Sequence, residues 1–151
     1  MRHPRGTRID RIAGIAELRT QRLAAGESVH RDARERAEAQ LAQLERYRED
    51  YSARFQAAGG AWQGRAAEDF RRFLDRLDRA IREQDALVRE ATLEQERSAE
   101  SVRASWRTAR ALGRLSERVE TERRRLEDRR DQRALDELGA RTARSTARLG
   151  D

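Results

Sequence analysis

The stretch QLAQLERYREDYSARFQAAGGAWQGRAAEDFRRFLDRLDRAIREQ, Gln40 to Gln84, carries Tyr47, Tyr51, Phe55, Trp62, Phe70 and Phe73, and its spacing decides the fold. On its N-terminal side Ala37, Leu41, Leu44, Tyr51 and Phe55 fall at steps of three, four or seven, which places them on one face of an α-helix. On its C-terminal side Ala66, Phe70, Phe73, Leu77, Ala80, Gln84, Leu87 and Ala91 repeat the pattern. Between them stand Gly59 and Gly60. Each glycine costs a helix about 1 kcal/mol relative to alanine and permits positive φ, so the chain reverses here most easily. The expectation is a long helical hairpin with its tip near Gly59-Gly60.

Outward from the hairpin, residues 1–8, with Pro4 and Gly6, read as a frayed N-terminus, and 9–57 as the first long helix. Its early stripe of Ile9, Ile12, Ala16, Leu23, Ala33 and Ala37 is weaker, with Gly14 and Gly26 interrupting it. As one helix, 9–57 would be about 73 Å long. Glu45 sits three residues before Arg48, a spacing that supports a helix by ion pairing. Residues 58–64 read as the turn and 65–138 as the second long helix, its seam polar around Glu94 to Ser101, where looser packing is expected. The second helix outruns the first, leaving an overhang past Gly113. Gly139 is placed as a C-terminal cap, and 139–151, rich in Ser, Thr and Arg, as a disordered tail.

Composition fits this architecture. Only 36% of the 151 residues are hydrophobic while 41% are charged, too little apolar matter for a thick core but enough for the narrow seam of a two-helix coiled coil. The fold class expected is all-α, a long antiparallel two-helix coiled coil with a helical C-terminal overhang. No Cys is present, so neither a disulfide framework nor a thiolate metal site forms. No run of about 18 apolar residues is present, and MRHPRGTRID lacks the apolar centre of a secretory signal, so a cytosolic location is expected. The net charge is +6, yet the basic residues are all Arg and are interspersed with 28 acidic ones. That reads as a solvated, salt-bridged helix surface rather than a phosphate-binding stripe, and no nucleic-acid partner is expected.

Catalytic chemistry has no footing in the sequence. Gly59 to Gly64, GGAWQG, lacks the Lys-Ser/Thr of a phosphate-binding loop. His3 and His30 stand apart, with no spaced carboxylate set to complete a metal shell. The many carboxylates have no pocket to shift their pKa values. A non-enzyme is expected, with no cofactor, metal or small-molecule substrate.

A second stripe runs beside the seam. Gln40, Leu44, Tyr47 and Tyr51 lie at steps of four, three and four, and Leu74, Ile81 and Val88 flank the Phe73, Leu77, Ala80 and Gln84 row. The apolar band near the tip is therefore wider than one partner helix covers. Such a band is either a protein-binding face or a seam edge over which the Tyr47 ring lies half wet.

The runs QLxxLxxYRxxY (Gln40 to Tyr51), FRRFLDRLDRAIREQ (Phe70 to Gln84), Ser105-Trp106, LSER (Leu115 to Arg118) and RRDQRALDELGAR (Arg129 to Arg141) together resemble the flagellar export protein FliJ family, over roughly residues 30 to 142. The resemblance implies an antiparallel coiled coil similar to the central stalk of rotary ATPases, working in the bacterial flagellar type III export apparatus. It implies as partners the export ATPase FliI, the cytoplasmic domain of the export gate FlhA, and export chaperones, at the cytoplasmic side of the cell membrane at the flagellar base. The family's gate-binding face falls on Gln40, Leu44, Tyr47, Tyr51, Phe73, Leu77, Ala80 and Gln84, the last standing where some members carry histidine. For the ATPase ring the candidates are Arg123, Arg124, Arg125, Arg129, Arg130 and Arg133, whose other reading is a solvated face beside Glu127, Asp128 and Asp131. The stalk of a virulence-type secretion system, a structural coiled-coil spacer and an Arg-rich nucleic-acid binder with steeply salt-dependent affinity are the competing classes.

Overall fold

A proline at the start of a helix loses nothing, because the first-turn amides have no intrahelical partner, and its fixed φ already suits the helix. The first helix begins on one. In the computed structural model, which describes residues 4–148, α1 spans Pro4–Ala57, a 3₁₀ turn spans Gly59–Ala61, and α2 spans Arg65–Arg148. The two long helices pack against each other as a hairpin, with no strand among the described residues. Helix α1 thus starts earlier than residue 9. Of the expected frayed terminus and tail, residues 1–3 and 149–151 lie outside the described residues.

The reversal uses two left-handed glycines. Gly59, at φ +53°, ends α1, and Gly64, at φ +59°, precedes α2; Gly60 is not left-handed. Ala58 donates its N–H to the Arg54 carbonyl at 3.0 Å, and Glu68 donates to the Gly64 carbonyl at 3.2 Å, closing the turns on either side. Aromatic rings staple the tip. Phe55 and Phe70 stack with centroids 4.3 Å apart and planes 3° from parallel, while Trp62 meets both edge-on at 5.8 and 5.4 Å. Pairs of this kind contribute about 0.5–1.5 kcal/mol each beyond area burial.

The chain divides into two compact units: Thr20–Ala104, which holds the tip, and the paired segments Met1–Arg19 and Ser105–Asp151. In the tip unit, one row of α2 residues shielded from water runs Ala67, Phe70, Leu74, Leu77, Ile81, Gln84, Val88, Ala91, Gln95, Ser98 and Val102, an unbroken alternation of three and four, with Phe73, Asp78, Ala80, Asp85, Thr92 and Ala99 half-buried beside it. This corrects the predicted α2 seam at Ala66 and Leu87. Ala66 is exposed and Leu87 is 53% exposed, because Ala67 and Val88 are the members of their pairs turned toward α1, whereas Phe73 and Leu74, like Ala80 and Ile81, are half-buried together. On α1 the matching row is Leu23, Glu27, His30, Arg34, Ala37, Leu41, Leu44 and Phe55. The core is thin: Ala67, Phe70 and Leu77 are its buried residues, and no described side chain is wholly sealed from solvent. A two-helix seam has no third wall to close over it.

The middle of this seam is polar and hydrogen-bonded across the helices. Gln95 Nε2 donates to Glu27 Oε1 at 3.2 Å, which satisfies the stretch where loose packing was expected. Hydrogen bonds from Arg31 first and Gln95 second hold the Glu27 carboxyl below its usual pKa. Arg34 is less well served. Its Nε lies 3.5 Å from Glu38 Oε1, near enough for charge attraction, yet it is shut off from solvent and makes no hydrogen bond.

In the second unit Ala13 and Ala109 are the buried residues, and the Ser116 hydroxyl donates to the Asp10 carboxylate across the pair. Ala13 replaces the predicted Ile12, which is 50% exposed. Helix α2 has 84 residues against 54 in α1, so its end outruns its partner. Among the described side chains Arg123 is the last not exposed, and from Arg124 to Ser145 every one faces water. This overhang runs through Gly139 to Arg148, where a cap and a disordered tail were expected. One helical glycine costs only about 1 kcal/mol, and the neighbouring side chains bond back to the helix: Thr142 Oγ1 donates to the Leu138 carbonyl and Arg144 Nε to the Ala140 carbonyl.

Candidate partner-binding face

In a coiled coil the two positions flanking the seam are ordinarily charged, because ion pairs there shield the apolar core. The tip unit obeys this on one flank only. Beside the seam on that flank stand Arg31, Glu38 and Glu45 of α1 with Arg71, Asp78 and Asp85 of α2. Arg48 Nε reaches across the helices to Asp78 Oδ1 at 2.5 Å instead of pairing with Glu45 along its own helix. This hydrogen bond raises the Arg48 pKa and lowers that of Asp78. On the other flank the same heptad position carries Gly26, Ala33, Gln40 and Tyr47 on α1, and Ala66, Phe73, Ala80 and Leu87 on α2, none of them charged, with Arg54 and Glu94 as the charges at the two ends.

The eight residues expected to bind a partner all belong to this uncharged flank or to the seam positions next to it. The structure joins them across the helices at two places. Gln84 Nε2 donates to the Ala37 carbonyl at 3.0 Å and to Gln40 Oε1 at 3.2 Å. The rings of Tyr51 and Phe73 meet at 5.0 Å, 58° apart. Tyr47, 48% exposed, accepts a weak bond from Gln43 Nε2 at 3.5 Å, and Gln40 is exposed. Leu44, Phe73, Ala80 and Gln84 are half-buried. Leu77, only 9% exposed, belongs to the core. The face is therefore a shallow strip in which Tyr47, Tyr51 and Gln40 are the accessible parts and Leu77 is their support. Leu87, assigned to the seam by spacing, lies instead on the strip, one heptad beyond Ala80.

The six arginines of the overhang do not act as one cluster. Arg123 bonds Glu120 and Glu127, and Arg124 bonds Glu120 at 3.0 Å. Held by Arg123 and then Arg124, the Glu120 carboxyl falls to a pKa of about 2, and Arg123 is raised in return, chiefly by Glu120. Arg125, Arg129, Arg130 and Arg133 are exposed and form no ion pair with the described residues. The solvated-face reading thus fits the first two, and the four free guanidiniums are the ones available to a partner.

Among the described residues no helix is long and apolar enough to cross a membrane, and no group of three His, Cys, Asp or Glu is placed to hold a metal. His3 lies outside the described residues.

A family model described as Flagellar FliJ protein matches residues 5–148. The match takes in nearly the whole chain, including the stretch before residue 30 that the quoted motifs do not cover. No curated protein and no solved structure matches the chain.

Proposed function

Since the chain belongs to the FliJ family of flagellar export proteins, we propose that it is a stalk and adaptor of the type III export apparatus, docking through the uncharged strip onto the cytoplasmic domain of the export gate FlhA. The observation that carries this reading is the asymmetry of the two flanks: one is salt-bridged, the other presents Gln40, Tyr47, Phe73 and Ala80 without a single charge. Apolar strips with polar rims are where proteins meet. The unpaired Arg125, Arg129, Arg130 and Arg133 support a second contact, to acidic loops of the export ATPase ring of FliI. In this role the chain works without catalysis of its own, at the cytoplasmic side of the membrane, and hands on export chaperones.

The test is binding of the purified chain to the gate's soluble domain and to the ATPase, wild type beside Tyr47→Ala and Gln40→Ala, with helicity followed by circular dichroism. Leu77 is left intact because its removal would damage the core. Gate binding that falls about tenfold or more in an equally helical Tyr47→Ala chain supports the reading. Binding unaffected by either substitution, or no binding by the wild type, refutes it.

A further inference from the structure

The uncharged strip does not stop where the eight expected residues stop. Leu87 continues the Phe73 and Ala80 row at the same heptad position and is 53% exposed, more open than Tyr47. Only at the next repeat, Glu94, does a charge appear on α2, while on α1 the row is closed at the tip end by Arg54. From Phe73 to Leu87 the strip runs 14 residues, about 21 Å of helix, or four turns. That is the length of one amphipathic helix laid along it.

The surroundings of Leu87 say what kind of residue would meet it. Glu83 stands four residues before it and Glu90 three after, so both carboxylates share its face of α2. Both are exposed, and neither forms an ion pair with a described residue. An open leucine between two unpaired carboxylates attracts an apolar side chain with cationic neighbours. At the tip end Arg54 lies over the Tyr51 ring at 5.7 Å.

We infer that the docking strip extends to Leu87 and that this end receives an apolar residue flanked by Lys or Arg, on a partner segment lying along the strip with that basic end away from the tip. The inference rests on the gate-docking reading above and adds to it an end point, a polarity and a charge. Leu87 is a specificity-determining contact, and Glu83 and Glu90 select against acidic segments.

The experiment measures affinity for the soluble domain of the export gate by titration calorimetry at two salt concentrations, using the full chain. The variants are Leu87→Ala, Glu83→Gln with Glu90→Gln, Tyr47→Ala, and Glu45→Ala as a control on the opposite flank, each checked for wild-type helicity. Leu87→Ala is expected to weaken binding about tenfold. The double Gln variant is expected to weaken it several-fold at low salt and to flatten its salt dependence, with Glu45→Ala unchanged. Wild-type affinity in Leu87→Ala alongside lost binding in Tyr47→Ala would overturn the extension while leaving the docking reading standing. An unchanged salt dependence in the Gln variant would overturn the basic partner. No binding by the wild type would overturn the inference together with the reading beneath it.

Discussion

Replacing Phe70 with alanine removes the central ring of the tip. Phe70 is 7% exposed, stacks on Phe55 at 4.3 Å and receives the edge of Trp62 at 5.4 Å. A phenylalanine buries roughly 150–250 Å², which at about 25 cal/mol per Å² is about 4–6 kcal/mol before the alanine that remains is credited. Measured Phe→Ala losses in cores run about 3–5 kcal/mol. The tip is open on one side, so its rings can settle into part of the gap, and the expected loss is about 3 kcal/mol. Phe73 is only half-buried and meets a single ring, Tyr51, so Phe73→Ala is expected to cost about half as much. The assay is urea unfolding followed by far-ultraviolet circular dichroism and by Trp62 fluorescence, in a Trp106→Phe background, since Trp106 is 52% exposed and contributes little to the core. Fluorescence reads the tip, and the two signals together show whether the tip opens first. A Phe70→Ala loss below about 1 kcal/mol, or one equal to that of Phe73→Ala, would refute the stacked tip as the main staple of the hairpin.

Glycine substitutions should have opposite signs at two sites: Gly59→Ala forces a side chain into φ +53° and is expected to destabilise by about 1 kcal/mol, whereas Gly113→Ala, inside α2 with nothing within 4 Å of the added methyl, is expected to stabilise by a similar amount, both read as shifts in urea midpoint. In the polar middle of the seam, His30→Leu and Arg34→Leu should each raise the midpoint by about 1 kcal/mol, because neither wild-type side chain has a cross-helix hydrogen bond to lose; a fall would show that they are held by something else. The Glu120 carboxyl, lowered by Arg123 and Arg124 from 4.5 to about 2, contributes stability that is fully present above pH 4.5 and is lost as the pH falls toward 2. Helicity should decline over that window, and Glu120→Gln should remove part of the decline; a variant with an identical acid profile would count against the pairing.

Much of the α1 seam was legible because few large apolar residues compete for it. Around Leu41, Leu44 and Phe55 the neighbouring positions are Gln, Glu and Arg apart from the small Ala42, so the large apolar side chains there mark the inward face. The polar positions that complete the row, Glu27, His30 and Arg34, gave no apolar signal and were found only from the structure. The candidate face was expected from the second stripe of Gln40, Leu44, Tyr47 and Tyr51, whereas the absence of charge beside Gln40, Tyr47 and Phe73 emerged with the two flanks of the structure. The Arg123 and Arg124 pairs follow local three- and four-residue spacings, and nothing in those spacings distinguished them from Arg125 and Arg129, which form no ion pair among the described residues.

What the sequence determined by itself is that there are two helices, that they reverse near Gly59, and that the seam is narrow, because helix period, glycine freedom and the shortage of apolar residues are local properties of the chain. What only the tertiary structure decided is the rotation of α2. At Phe73-Leu74, Ala80-Ile81 and Leu87-Val88 two adjacent apolar residues compete for each inward position, and an isolated helix has no preference between them. Packing against α1 half-buries both members of the first two pairs, turns Val88 inward at the third, and leaves Leu87 in water as the end of the strip.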